Sequence, residues 1–223
     1  MQTANALGFS KTKKLTTMAG FAAISCVLMV VARFPVLSFL TYEPKDVIIA
    51  FAGFIFGPLA VLALSLVVSF IEMVAVSNTG PIGFLMNVLS TVSFAGVAAY
   101  VYKKHKTLGG AVFGLILGVL VSTAVMLLWN YIITPVYLGV PRDVVVGMLL
   151  PTILPFNLIK GGLNATLTLM LYKPAIRALR SARLVPEREE LAGSKYTSLW
   201  VYVVSGAVLV TCVLLVLSFQ GVI

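Results

Sequence analysis

Apolar residues run through this chain in long blocks separated by short polar joints. The blocks at residues 15–40, 59–76, 82–102, 108–131, 144–172 and 199–219 are each long enough to cross a hydrocarbon core of about 30 Å as a helix rising about 1.5 Å per residue. A shorter block at 47–56 cannot span upright. It ends at Gly57-Pro58, a break that leads into a new helix. The joint Thr41-Tyr42-Glu43-Pro44-Lys45-Asp46 is polar, and Ser77-Asn78-Thr79-Gly80-Pro81 is a turn by composition. The fifth helix, counting the short one, is expected to end at Tyr131, with a connection from Thr134 to Asp143. Pro151 and Pro155 predict an irregular start to the helix after it, with backbone groups freed for other partners. The pattern therefore predicts an all-α integral membrane protein. A six-helix membrane domain fills residues 1–177, a cytoplasmic linker 178–196, and a seventh, C-terminal transmembrane helix 197–223. The stretch from Lys173-Pro174 to Lys195, with Arg177, Arg180, Arg183 and Arg188 among Glu187, Glu189 and Glu190, reads as an amphipathic, surface-lying segment followed by a linker.

Composition agrees: 60% of 223 residues are hydrophobic and 10% charged, with mean hydropathy +1.07. The net charge of +9 is concentrated in loops beside the apolar blocks, so it calls for no nucleic acid partner. Lys11, Lys13 and Lys14, the Lys103-Lys104-His105-Lys106 cluster and the linker fall on one side of a six-helix arrangement. The positive-inside rule makes that side, and the N-terminus, cytoplasmic. The Thr41, Ser77 and Thr134 joints are then outside. The apolar block after the basic N-terminus lacks an early small-residue cleavage site and reads as a retained span. Cys26 and Cys212 lie inside apolar blocks as free thiols, and no spacing suits a metal. An enzyme would need a nucleophile and base; His105 stands alone among loop lysines, and no Gly-x-Ser-x-Gly or His-Glu-x-x-His is present. A stand-alone secondary transporter, expected to show repeated helices or midplane acids, is the weaker alternative.

Candidate chemistry lies in polar residues placed inside the apolar blocks. Asn157, Lys160 and Asn164, spaced i, i+3, i+7, share one helix face. Insertion of a lysine near a membrane helix centre costs roughly 2.5–3.5 kcal/mol, so that face points to a partner, a cavity or a ligand. The alternative is that Lys160 snorkels and the asparagines bridge helices. Trp129, Asn130 and Tyr131 end the preceding block. Ser65, Ser69 and Glu72 form a stripe whose carboxylate is either buried or at the interface, and Asn87, Ser90 and Thr91 line a cavity or bond between helices. All converge on the outer end, which implies a cavity open to the exterior. At the other end Ala19 and Ala23, a small-xxx-small pair, suit close approach of a helix from this chain or another. Gly110, Gly114 and Gly118 suit close packing too.

Several of these motifs together resemble a known family. Ala19 and Ala23, Phe56-Gly57-Pro58, the Asn130-Tyr131-x-x-Thr134-Pro135 end of the fifth helix and Pro155-Phe156-Asn157-Leu158-x-Lys160-Gly161 look like the substrate-binding S component of an energy-coupling factor (ECF) transporter, most closely the riboflavin-specific one. The resemblance covers about residues 15–177. It implies a membrane subunit of an ATP-driven vitamin importer in a prokaryotic cell membrane, working with a transmembrane T subunit and two ATPase subunits. Riboflavin would be the transported ligand, with no resident cofactor. Other ligands open to the same groups are pyridoxine or a hydroxymethylpyrimidine-type precursor. Asn130, Asn157 and Lys160 match family residues that contact the flavin, and Ala19 and Ala23 match the face that docks on the T subunit. Trp129, Tyr131, Tyr42 and Phe156 offer flat rings for stacking. Glu72, Asn87 and Asn164 complete the polar set. The chain departs from the family in its first outer loop, where only Asp46 corresponds, and in the extra block at 199–219.

Overall fold

The computed structural model describes residues 11–37, 40–77, 79–181 and 195–222. Helix α1 (Lys11–Val31) leads into a small antiparallel hairpin, β1 (Phe34–Leu37) and β2 (Leu40–Tyr42), and then into α2 (Lys45–Phe56) and α3 (Pro58–Ala75). The next span is α4 (Gly80–Thr91) and α5 (Val97–Lys104), joined by a π-helical turn at Val92–Gly96. Then come α6 (Leu108–Leu138), α7 (Arg142–Met148), a second π-helical turn at Leu149–Ile153, α8 (Leu154–Ser181) and α9 (Lys195–Phe219). Among the described residues, α1, α3, α4–α5, α6, α7–α8 and α9 are long and apolar enough to cross a membrane. With the short α2 they make the six-helix bundle plus one expected from the sequence.

The short helix is the axis of the bundle. Nine residues of α2 are buried, from Lys45 to Phe54, and the main apolar core gathers Ile49, Ala50, Phe51 and Phe54 with Val61, Leu64 and Val68 of α3 and Ala95, Ala98 and Ala99 of the α4–α5 span. A helix apolar on every side has to be enclosed by others. The bend into α3 is made at Gly57, whose φ of 90° disfavours a side chain, with Pro58 opening the next helix where its missing N–H costs nothing. Close packing at Gly114 is explicit: a Cβ there would lie 2.9 Å from the Ala98 carbonyl oxygen. Gly161 faces Val119 of α6 and Gly162 faces Cys212 of α9, so α8 lies between those two helices.

Three boundaries differ from the sequence reading. The first block stops being helical at Val31, because Pro35 cannot continue a helix, and residues 34–42 pair as strands instead. Pro35 is tolerated because a two-stranded hairpin is all edge. The fifth helix does not end at Tyr131: α6 runs through Pro135 to Leu138, forgoing one backbone bond, and stops at Gly139 with φ 65°. The irregular start of the next helix is where it was expected, with Pro151 in the π-helical turn at Leu149–Ile153. Finally, α8 continues to Ser181, beyond the expected boundary at 177. Most of the linker reading, with Arg183, Glu187, Arg188, Glu189 and Glu190, falls outside the described residues, as does Asn78. Cys212 is buried and Cys26 half-buried, both as free thiols.

Candidate functional site

The polar residues meet around the first turn of α2. Lys45 and Asp46 follow the hairpin directly, and the break at Pro44 turns both side chains into the bundle, where each is 1% exposed. Lys45 forms ion pairs with Glu43, at 2.9 Å, and with Glu72 of α3. Glu43 also takes Arg33 at 3.3 Å, and Glu72 accepts a hydrogen bond from Asn87 Nδ2 of α4 at 2.7 Å. Glu72, open between a buried and an interfacial position in the sequence, is 4% exposed. Two carboxylates around one ammonium keep the buried charge compensated, as a low-dielectric interior requires.

Asp46 is the second centre. Its Oδ1 accepts a hydrogen bond from Thr91 Oγ1 of α4 at 2.6 Å, and its Oδ2 lies 3.5 Å from Asn164 Nδ2 and 3.9 Å from Lys160 Nζ, both of α8. Asn164 in turn accepts from the Tyr42 hydroxyl at 2.9 Å. Burial first, and the nearby Asp46 charge second, hold the Tyr42 hydroxyl above its ordinary pKa, so it stays protonated and remains a donor. Three cations (Arg33, Lys45, Lys160) thus meet three carboxylates (Glu43, Asp46, Glu72) in two neighbouring groups, Arg33–Glu43–Lys45–Glu72 and Lys160–Asp46, set side by side at the adjacent residues Lys45 and Asp46 of α2. Lys160 is the loosest member, with its side chain 15% exposed and its one ion pair among the described residues at 3.9 Å.

The remaining predicted residues stand differently. Asn130 is buried on α6; its Nδ2 donates to the Met126 carbonyl at 2.8 Å and its Oδ1 accepts from Thr134 Oγ1 at 2.8 Å. Asn157 is buried on α8 with its Nδ2 bonded to the Ile153 carbonyl at 2.8 Å. Each amide keeps a second N–H, and Oδ1 has lone pairs to spare. Trp129 is half-buried, and Tyr131, exposed, carries the Arg142 guanidinium 5.2 Å above its ring. Phe156 is buried with Val36, Tyr42, Ile159 and Leu163 beneath α9. Sequence reasoning missed Arg33, Glu43 and Lys45 as members of the network. The available signal was the pair Lys45-Asp46 set directly against an apolar block with no polar spacer. At the other end of α1, Ala19 and Ala23 are exposed and a Cβ at Gly20 would meet nothing within 4 Å, so this small-residue face does not pack inside the chain.

The geometry has counterparts among known proteins. A family model described as "ECF transporter, substrate-specific component" matches residues 13–172. The riboflavin transporter RibU of Staphylococcus aureus (strain TCH60) is 29% identical over 176 residues, 75% of this chain and 92% of that protein. The riboflavin transporter FmnP of Bacillus subtilis (strain 168) is 28% identical over 188 residues, 78% of this chain and 99% of its own. A solved S component of a bacterial ECF transporter superposes with a TM-score of 0.65 at 30% identity, covering 76% of this chain and 99% of its own.

Proposed function

The chain belongs to the family of ECF transporter substrate-specific components, and on that premise we propose that it captures riboflavin at the outer face of a prokaryotic cell membrane and hands it to an ATP-driven complex. In this reading the N-terminus is cytoplasmic, as the Lys11, Lys13, Lys14 and Lys103, Lys104, Lys106 clusters require. The names of the two riboflavin-transporting relatives support the ligand. The observation that carries the site is the partial engagement of Lys160: a membrane-embedded amine with one long ion pair, beside amides that keep unused donors and acceptors.

The ten predicted residues then divide by role. Lys160, Asn157 and Asn130 meet the ligand: the amine donates to a carbonyl or hydroxyl oxygen of the flavin, and the amides match its imide edge. Trp129 and Tyr131 offer ring faces from the end of α6. Asp46, Asn164 and Tyr42 hold Lys160 in place, while Glu72 and Asn87 fix Lys45 behind them. The ligand is transported and no resident cofactor is needed. The exposed Ala19–Ala23 face of α1 docks on the T subunit, which works with two ATPase subunits.

Titrating riboflavin against the purified chain tests the reading, because its fluorescence is quenched on stacking. Saturable quenching is expected; none, with saturable binding of pyridoxine or a hydroxymethylpyrimidine instead, transfers the site to another vitamin. Replacing both Ala19 and Ala23 by Leu should leave quenching unchanged and abolish co-purification with the T subunit. Loss of both together would mean that the face serves the fold.

A further inference from the structure

The final helix lies beyond the matched residues 13–172, yet it is not a separate appendage. Its seam is narrow: Ser205, Cys212 and Val216 are its buried residues among those described. Cys212 meets Gly162 of α8, and Val216 joins Val36, Tyr42, Phe156, Ile159 and Leu163 in one apolar cluster. Just past the end of α9, Gln220 Nε2 donates to the Pro35 carbonyl oxygen of β1 at 2.6 Å. Between the hairpin, α8 and α9 lies a cavity of about 430 Å³ lined by Phe34, Leu163, Leu167, Leu209 and Val213. The hairpin therefore leans on α9 around an opening, and the Gln220 bond and the Val216 contact are the ties that α9 makes to it.

We infer that Val216 and Gln220 are positioning residues for ligand binding, acting through the hairpin on Tyr42. A lone two-stranded hairpin is marginal by itself and needs something to pack against. Here β1 is pinned by Gln220 at Pro35, Val216 shares an apolar cluster with Val36 and Tyr42, and Phe34 pairs with Tyr42 in the register of the two strands. Tyr42 then donates to Asn164, which reaches Asp46 beside Lys160. Releasing the pin lets Tyr42 leave Asn164 without disturbing the helix core. The inference rests on the proposed site at Lys160, and it makes the extra helix a brake that slows the opening of the hairpin and, with it, the release of bound ligand.

The test uses the full chain in lipid nanodiscs with Gln220→Leu, Val216→Ala and the double variant. Hydrogen exchange of the amides in Phe34–Leu37 and Leu40–Tyr42 reads the pin with no ligand present, and riboflavin dissociation, followed by recovery of fluorescence, reads its consequence. The expected result is exchange that rises far more in the hairpin than elsewhere and dissociation faster by roughly tenfold in the double variant, the size of one lost hydrogen bond plus a small contact, with only a small loss of thermal stability. Unchanged hairpin exchange overturns the inference, as does exchange that rises equally along α8 and α9, which would make both residues ordinary packing. If hairpin exchange rises while riboflavin binds neither variant nor parent, the pin stands and the ligand assignment falls.

Discussion

Two lysines sit within the body of this membrane protein, and their surroundings have little in common. Lys45, at the start of α2, is 1% exposed, with Glu43 on one side and Glu72 on the other. Lys160, on α8, has a side chain 15% exposed and one carboxylate, Asp46, at 3.9 Å. Both must be compensated to be tolerated. The first is enclosed between two carboxylates and 1% exposed, whereas the second is partly exposed and keeps donors free of close partners among the described residues. On the proposed reading, the intramembrane charge that meets a ligand is the one its partners leave incomplete.

Lys45→Met gives the largest expected effect on the fold. Removing the ammonium leaves Glu43 and Glu72 buried against each other, and breaking a buried pair in this way costs about 3–5 kcal/mol. Thermal unfolding in detergent should show a large loss of stability, with riboflavin binding lost as a consequence. A stable Lys45→Met chain that still binds would break the comparison.

Lys160→Met should act in the opposite way. Asp46 loses a cation at 3.9 Å but keeps its hydrogen bonds to Thr91 and Asn164, so stability should fall less than in Lys45→Met, while riboflavin affinity falls by about 1.5–3 kcal/mol, or roughly ten- to a hundredfold. Quenching titrations beside unfolding curves measure both. Equal losses of stability in the two lysine variants would mean that Lys160 too is structural.

Asn130→Ala should have the smallest effect. Its amide is already bonded to Met126 and Thr134 on its own helix, so a contact to ligand is an addition to a satisfied side chain. A loss of binding of about 1 kcal/mol or less is expected from the same titration. A loss as large as that of Lys160→Met would place Asn130 beside Lys160 at the centre of the site.

The contrast between the lysines also shows what a linear reading can recover. Asn157, Lys160 and Asn164 were legible because a helix has a fixed period, and their shared face follows from spacing alone. The class of the fold was legible because apolar block length is set by bilayer thickness. Lys45 was not, since its compensation comes from Glu72, 27 positions away on another helix. The hairpin was hidden because residues 34–42 extend an apolar block, and only Pro35 signals that the helix cannot go on. Nor could spacing foretell that α9, so plain in sequence, would reach the hairpin through Gln220, 185 positions from its partner.

The Asp46 cluster also bears on how the chain is made. Asp46 and Tyr42 emerge from the ribosome well before Asn164, which lies 118 and 122 residues further on. The twelve-residue α2 cannot span the membrane unaided, so it and its charges have to wait at the interface for the later helices to arrive. Lys45 finds Glu72 early, but Asp46 is satisfied only after α8 has been threaded. The Asp46 cluster then closes late, with only α9 still to follow, and a chain truncated before α8 carries a carboxylate without its Lys160 and Asn164 partners.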